Sequence, residues 1–296
     1  AQQWSAEYEL QCNRINDTGI GDVRALECLD DRLFEFGRTI QLINKEDERV
    51  LLRAAELLSN IQTIEACRFT RRAHGVLSKE VNSKLRQQII QSTVFLKAGA
   101  LNEGEQLARK LASSVDATDD RGLQAAHRHA LGLAAYFRGR YEEAAAFVRE
   151  AIHLALRGDD SDRLWKAWVA LAQIAAQRGQ FEEARRSLDF ASAAASQFDA
   201  SDERDAMFAH VRGVVEFRAG QPHAAKAAFE TALKTRNQHA SPISLGQTLS
   251  SLSAVETVLG HLREASDLAQ KSLQIFTLEL GPQHPSVLDG QNNLGA

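Results

Sequence analysis

The feature that most constrains the fold of this chain is a glycine that recurs about every 40 residues between two amphipathic segments. The intervals are 40, 40, 41 and 40 residues, and the glycines are Gly99, Gly139, Gly179, Gly220 and Gly260. Self-similarity at a period of this length is typical of repeat proteins in which each unit is one supersecondary element. The spacing therefore predicts a series of helix–turn–helix hairpins with a glycine at each turn.

Residue size repeats in register with these glycines. Small residues stand seven before each glycine (Ser92, Gly132, Ala172, Gly213, Ser253) and five after it (Gly104, Ala144, Ala184, Ala225, Ala265). Small residues let two helix backbones approach closely, and larger side chains fill the grooves between them. An alanine-rich helical protein would give one such match by chance, but five matches in register favour a repeat.

The pattern resembles the tetratricopeptide repeat (TPR). One unit carries Leu131, Gly132, Gly139, Tyr141, Ala144 and Ala151, and the next carries Trp168, Leu171, Gly179, Phe181 and Ala184. The resemblance covers about 84–296 and implies an all-α fold, an α-solenoid of TPR-like hairpins with a period longer than the minimal 34 residues. Arg212 before Gly213 and Pro222 after Gly220 depart from the pattern. The final stretch, 280–295, resembles the 42-residue repeats of kinesin light chains.

Composition agrees with an all-α class. The 296 residues are 44% hydrophobic with a net charge of −4, and none of the four prolines precedes Pro222. No β-hairpin signal and no apolar run of membrane-spanning length occurs.

With no signal peptide visible, we expect a cytoplasmic location, with a membrane-tethered parent as the alternative. Because Ala1 is not a methionine and the end reads as an unfinished helix, we expect both ends to be cut from a longer protein.

The first seventy residues do not follow the repeat. We expect helices over 2–13 and 22–43, a third from 45 to Leu58, and a connector at 16–22. The predicted organisation is an N-terminal helical region (1–70), a hinge (71–83) and a TPR-like array (84–296) of about five hairpins plus the start of another. The stretch 68–77 carries Arg68, Arg71 and Arg72. It is read as a solvated linker rather than a phosphate contact, because nucleic-acid sites need a broader basic surface.

All three cysteines, Cys12, Cys28 and Cys67, lie in this N-terminal region. An odd count fits no closed disulfide framework, and the spacing matches no zinc motif. We expect small buried side chains in helices. A Cys12–Cys28 bridge between neighbouring helices is the alternative, if this part of the chain lies outside the cytosol.

The N-terminal region also resembles a more particular group. The residues that match are Trp4, Cys12, Leu26, Cys28, Leu29, Arg32, Ala54 and Cys67. They resemble the region after the kinase domain in large bacterial serine/threonine protein kinases with TPR tails, known chiefly from myxobacteria. In that family the kinase domain lies N-terminal, often with a membrane span between. The stretch TGIGDVRAL at 18–26 departs from the more polar sequence typical there.

No catalytic constellation occurs in the sequence. There is no phosphate-binding glycine loop, no His-Arg-Asp catalytic loop and no Asp-Phe-Gly, so this segment is predicted not to transfer phosphate. His127 and His129 point to different sides of a helix, and no HExxH motif is present. We therefore expect no catalytic residue, no metal site, no cofactor and no nucleic-acid partner.

What the predicted fold offers is a groove lined by the first helix of each hairpin, on its concave side. The TPR resemblance implies these lining residues: His129, Leu133, Tyr136, Lys166, Gln173, Gln177, His210, Phe217, Arg218, Gln247, Ser250 and Ser251. This polar and aromatic mixture suits an extended or helical peptide. The alternative is that they are merely exposed. No clamp-like run of Lys and Arg supports binding of an acidic C-terminal tail.

Two functions follow from these patterns. The first is a regulatory scaffold that binds protein or peptide partners, as the non-catalytic tail of a bacterial serine/threonine kinase. The second is the effector-sensing solenoid of a large transcription regulator of the maltose-activator type. An enzymatic function is disfavoured because the sequence contains no recognisable set of catalytic residues. The sequence carries no signal for the oligomeric state.

Overall fold

A computed structural model describes residues 5–10, 23–44, 48–51, 53–59, 61, 67, 80–196, 198, 201–235, 241–284, 286–288 and 290–291. Its helices in order are α1 (Val23–Ile43), α2 (Glu48–Leu51), α3 (Ala54–Ser59), α4 (Glu80–Lys97), α5 (Leu101–Asp116), α6 (Arg121–Phe137), α7 (Tyr141–Arg157), α8 (Ser161–Gln177), α9 (Phe181–Ala195), α10 (Asp202–Arg218), α11 (Pro222–Thr235), α12 (Pro242–Val258) and α13 (Leu262–Leu280). These residues include no strand, which confirms the all-α class. None of these helices is long and apolar enough to cross a membrane.

The chain divides into two compact units, which are described separately. The first comprises Ala1–Val50, Asn60–Leu164 and Ala195–Asp199. The second comprises Leu51–Ser59, Trp165–Ala194 and Ala200–Ala296. Within each unit consecutive helices pair as antiparallel hairpins, and α6 with α7, α10 with α11 and α12 with α13 make the most extensive contacts. The predicted architecture of TPR-like hairpins is thereby confirmed.

The five repeating glycines all lie at hairpin corners, as predicted. Their φ angles are 83°, 72°, 72°, 73° and 82° in chain order. A positive φ is costly for a residue with a Cβ and free for glycine. The glycine period in the sequence is therefore the period of the left-handed turn that reverses the chain.

The small residues lie at the contact between the two helices of each hairpin. A Cβ built on Gly132 would fall 2.7 Å from Val148 Cγ2, and one built on Gly213 would fall 2.6 Å from the Phe229 ring. Where serine stands in place of glycine, the two helices are close enough for its hydroxyl to bond the facing backbone. Ser92 donates to the Gly104 carbonyl at 2.7 Å. The pattern is one of complementary sizes, in which the smallest residue on one helix faces a large side chain on the other.

Polar side chains in the turns between hairpins cap the helices that follow. Asp120 accepts a hydrogen bond from the Leu123 amide and Asp160 from the Arg163 amide, and Ser201 accepts from the Arg204 amide. Pro242 occupies the first turn of α12, where its missing N–H is harmless. Ser241, which precedes it, makes no side-chain cap.

The N-terminal region differs from expectation in two respects. The third helix is not continuous to Leu58, because Arg53 forms a turn between α2 and α3. Cys28 is joined to Cys67, with Cα atoms 5.6 Å apart. This pairing contradicts both the expectation of unpaired thiols and the Cys12–Cys28 alternative, since bond formation depends on the distance between two Cβ atoms in space and not on nearness in sequence.

Several predictions fall on residues that the structure does not describe. They concern Trp4, Cys12, the connector at 16–22 and the basic stretch at 68–77. The proposed hinge at 71–83 overlaps the described residues only from Glu80, where α4 begins. The domain boundaries at 70 and 84 stay predictions.

Candidate functional site

The first helices of three hairpins, α8, α10 and α12, pack side by side in the second unit. The Trp165 ring on α8 meets the Phe208 ring on α10 edge-on, with centroids 5.9 Å apart. On the other side of α10, His210 Nδ1 lies 3.0 Å from the Thr248 hydroxyl on α12. We call the exposed side of these three helices, from Trp165 to Val258, the A-helix surface.

The predicted lining residues of α8 form one stripe of the A-helix surface. Lys166, Gln173 and Gln177 are spaced seven and four residues apart, which places them on one side of a helix. Gln173 is exposed, and Lys166 and Gln177 are half-buried. The Lys166 ammonium lies 5.4 Å from the centre of the Trp165 ring, within the range of a cation–π contact.

Of the three predicted residues on α10, two pack against neighbouring side chains and one is exposed. The His210 ring lies 5.4 Å from the Phe229 ring, and Phe217 packs against the buried cluster that includes Phe229, Leu252 and Val255. Both side chains therefore help to join α10 to its neighbours. Arg218 is exposed and forms no ion pair within the described part of the chain. Its guanidinium is available to a ligand.

On α12 the predicted residues have short or neutral side chains. Gln247 is exposed, and Ser250 and Ser251 are half-buried. The Ser251 hydroxyl donates to the Gln247 carbonyl at 2.9 Å. The predicted residues on α12 therefore offer amide and hydroxyl groups and no charge.

The remaining three predicted residues lie on α6 in the first unit. His129, Leu133 and Tyr136 are all half-buried, at steps of four and three residues along one side of the helix. The Tyr136 ring lies 5.8 Å from the rings of both Phe137 and Tyr141. The structure places these three residues together on one helix. Of the other nine, His210 and Phe217 pack against neighbouring helices, and the remaining seven lie on the A-helix surface.

Sequence reasoning missed an apolar part of the A-helix surface. Val258, at the end of α12, is 62% exposed, and Ala254 lies one turn before it. Leu259, next to Val258, packs in the same cluster as Phe217. Through this cluster the end of α12 packs against the end of α10, the helix whose last residue is Arg218. The helical spacing from Ser250 and Ser251 to Ala254 and Val258 is the signal that could have found them.

Two ion pairs join successive hairpins at equivalent positions. Arg185 lies six residues after its turn glycine, and Glu216 lies four before the next. The Arg185 guanidinium donates to both carboxylate oxygens of Glu216, at 2.8 and 2.6 Å. This hydrogen bonding outweighs burial and holds the pKa of the Glu216 carboxyl below its ordinary value. The planar guanidinium fixes the spacing between the hairpins more strictly than a single contact would.

The second pair, Lys226 with Glu256, occupies the same two positions one hairpin later. Lys226 Nζ lies 2.6 Å from Glu256 Oε1, and His261 Nδ1 lies 2.6 Å from Oε2. Glu256 is 0% exposed. Burial by itself raises the pKa of this carboxyl, but the hydrogen bonds from Lys226 and His261 prevail and lower it. The carboxylate is therefore kept ionised inside the unit by its two partners.

Glu256, His261 and Glu264 are also close enough to offer one ligand atom each to a metal ion, since those atoms lie within 4.8 Å of one another. The Lys226 ammonium lies among them, 3.8 Å from Glu264. It already neutralises the buried carboxylate, so the cluster is best explained as a link between hairpins.

Comparison with known proteins identifies the repeat and the fold. Residues 245–286 match the family model described as tetratricopeptide repeat. This segment contains most of α12, the whole of α13 and the turn at Gly260 between them. No curated protein sequence matches the chain.

Three solved structures have similar folds. BtubC (BKLC) from P. vanneervenii is 22% identical, with a TM-score of 0.56 over 67% of this chain and 82% of that one. A putative kinesin light chain of P. anserina with TPR-like repeats is 18% identical, with a TM-score of 0.54 over 68% and 98%. NprR in complex with its cognate peptide NprX is 16% identical, with a TM-score of 0.61 over 99% and 78%. At these identities the similarity establishes the fold alone.

Proposed function

We propose that this chain is a non-catalytic scaffold that binds a peptide segment of a partner on the A-helix surface. The observation that carries the proposal is that the ends of α10 and α12 pack together through Phe217 and Leu259, where one helix ends in the exposed Arg218 and the other in the exposed Val258. A cation next to an apolar patch recognises a peptide that carries an acidic side chain beside an apolar one.

Other polar side chains of the A-helix surface supply the hydrogen bonds that an extended peptide needs. Gln173 and Gln177 on α8, and Gln247 and Ser250 on α12, carry amide or hydroxyl groups that both donate and accept. They suit the main chain of a peptide without selecting its sequence. Specificity would then come from Arg218 and the apolar patch. The fold shared with NprR, whose structure contains the peptide NprX, supports this use of the fold.

Peptide display on the full-length chain tests the proposal. Peptides selected from a random library would be synthesised and their affinities measured by calorimetry. We expect Arg218→Ala to weaken binding at least fivefold, since a desolvated charge-assisted contact contributes more than an exposed one. Val258→Lys should weaken it as well, because it places a charge on the apolar patch.

Arg263→Ala is the matched control, because Arg263 is also an exposed arginine but lies on α13, the second helix of its hairpin. It should leave the affinity unchanged. The proposal fails if the display selects no peptide, or if the selected peptides bind wild type, Arg218→Ala and Val258→Lys equally well.

We further propose that the scaffold serves as the tail of a bacterial serine/threonine kinase and recruits substrates or regulators. The support is the N-terminal resemblance that includes Cys28, Leu29, Arg32 and Cys67. The second candidate is the effector-sensing solenoid of a transcription regulator, supported by the period near 40 residues.

The complete open reading frame separates these two candidates. A kinase domain upstream, with a His-Arg-Asp loop and Asp-Phe-Gly, supports the first. A nucleotide-binding module upstream with a helix-turn-helix module downstream supports the second. A reading frame with neither arrangement removes both and leaves the peptide-binding proposal to be decided by its own experiment.

A further inference from the structure

The disulfide between Cys28 and Cys67 supports an inference about the cellular compartment in which this protein folds. The two residues are 39 apart in sequence and their Cα atoms are 5.6 Å apart. Cys67 is 1% exposed and Cys28 is half-buried. The bridge therefore lies inside the N-terminal part of the first unit and joins α1 to a residue well beyond it.

On α1, in the described part of the N-terminal region, large apolar side chains lie exposed that the helical stripe would be expected to bury. On α1, Leu29 is fully buried, but Leu33 and Phe36 are 46% and 49% exposed. The helix packs on α4 and is held there in part by an ion pair between Glu35 and Lys97 at 3.4 Å. Regions that bury little apolar surface are the ones in which a disulfide contributes most to folding.

The hairpins show the opposite arrangement. Residues 68–296 contain no cysteine, and each hairpin buries a row of small and apolar side chains such as Ala144, Val148 and Ala151. The disulfide thus lies outside the repeating hairpins, in the region that carries all three cysteines. This distribution identifies it as a structural cross-link of the N-terminal region.

We propose that Cys28 and Cys67 are a site of oxidation during maturation, and that the chain folds in an oxidising compartment outside the cytosol. The oxidant is a disulfide donor of the thiol–disulfide oxidoreductase class. The thiolate of one cysteine attacks the donor disulfide and forms a mixed disulfide. The thiol of the second cysteine then loses its proton, attacks that bond and releases the donor as a dithiol. Two electrons and two protons pass to the donor in total.

The proposed compartment differs from the cytoplasmic location expected from the sequence, because structural disulfides form and persist outside the reducing cytosol. It does not depend on peptide binding by the A-helix surface. With a membrane-tethered parent, it places the scaffold on the side of the membrane opposite to the cytosol.

The test compares the full chain produced in the cytosol of a bacterium with the same chain exported to the periplasm. Thiols are alkylated without reductant and counted by mass spectrometry, and the bridged peptides are mapped after proteolysis. From the periplasm we expect one alkylated cysteine, Cys12, and three after reduction, with a Cys28–Cys67 cross-linked peptide. From the cytosol we expect three alkylated cysteines and a lower thermal midpoint.

Single variants provide the controls. Cys12→Ser should keep the bridge and the thermal midpoint of the exported protein, whereas Cys28→Ser and Cys67→Ser should each lower the midpoint to that of the reduced protein. Three free thiols in the exported protein would overturn the proposal, as would a bridge involving Cys12. A Cys28–Cys67 bridge formed to the same extent in the cytosol would overturn the assignment of the compartment.

Discussion

The ammonium of Lys226 lies 2.6 Å from the carboxylate of Glu256, which is on the first helix of the following hairpin and has no exposed surface. A buried carboxylate without a partner is strongly unfavourable, whereas a partnered one is held ionised. This contact therefore makes the packing of α11 against α12 depend on a charge.

Replacing Lys226 by methionine removes the charge and keeps most of the apolar stem. We expect the thermal midpoint to fall by roughly 3 °C or more, because Glu256 is left buried with only His261 beside it. The double variant Lys226→Met, Glu256→Gln should recover part of this loss, because no charge remains to be buried. Differential scanning calorimetry measures both.

Arg212→Ala serves as the matched control for that experiment. Arg212 also forms an ion pair between helices, with Asp189 at 2.6 Å, but both side chains are at least half exposed. Exposed pairs contribute little to stability, so we expect a change within about 1 °C. A loss as large as that of Lys226→Met would show that burial of Glu256 is not the cause.

Gly213→Ala tests the close approach of α10 to α11. Its Cβ would lie 2.6 Å from the Phe229 ring, so the ring or the helix must move, and we expect a loss of about 1–3 kcal/mol in the free energy of unfolding. Adding Phe229→Leu should restore part of it by making room. Urea denaturation measures the difference.

Gly37→Ala is the comparison for Gly213→Ala, because a Cβ on Gly37 would have no neighbour within 4 Å. Gly37 lies inside α1, where alanine favours the helix by roughly 0.5–1 kcal/mol. We expect unchanged or slightly higher stability. Equal destabilisation at both sites would mean that helical glycines in this chain are required for a reason other than space.

Gly179→Ala tests the turn geometry alone, since φ is +72° and a Cβ there would have open space around it. The left-handed conformation costs a residue with a Cβ about 1 kcal/mol, and we expect a loss of that size in urea denaturation. Gly179→Asn should lose less, because asparagine tolerates this conformation better. If neither the alanine nor the asparagine variant loses stability, the turn does not require a residue that favours the left-handed conformation.

The burial of His127 leads us to predict that the free energy of unfolding depends on pH. Its ring is fully buried, and Nε2 lies 2.7 Å from the Ala108 carbonyl oxygen. Burial lowers the pKa of His127 below its ordinary value of 6.5, despite that hydrogen bond. The unfolded chain then binds the proton more readily than the folded one, so this contribution to stability is lost as the pH falls through about 6.5 and below.

His127→Gln supplies the control, because its amide can donate to the same carbonyl and does not titrate. Urea midpoints measured from pH 7.5 to 5 should fall for the wild-type chain and fall less for the variant. The charged groups nearest this ring, Arg128 and Asp116, are present in both proteins. If the urea midpoints of the two proteins fall in parallel, the sensitivity to acid arises from groups other than His127.

The hairpin fold was predictable from the sequence because its determinants are local. A left-handed turn requires glycine at one position, as at Gly139, and a close helix contact requires small residues at fixed distances from it, as at Gly132 and Ala144. Both requirements repeat along the chain and are visible as a period. The same register placed Gln173 and Gln177 on one stripe of α8, and their part in binding stays a prediction.

Other features were decided only by the tertiary structure. Cys28 pairs with Cys67 and not with the nearer Cys12, and Lys226 meets Glu256 rather than only the carboxylates of its own helix. That the helix ends carrying Arg218 and Val258 meet through Phe217 and Leu259 likewise depends on how α12 packs against α10. Each is a contact between residues distant in sequence, and its energy depends on separation and burial in space, which neither residue type nor spacing along the chain specifies.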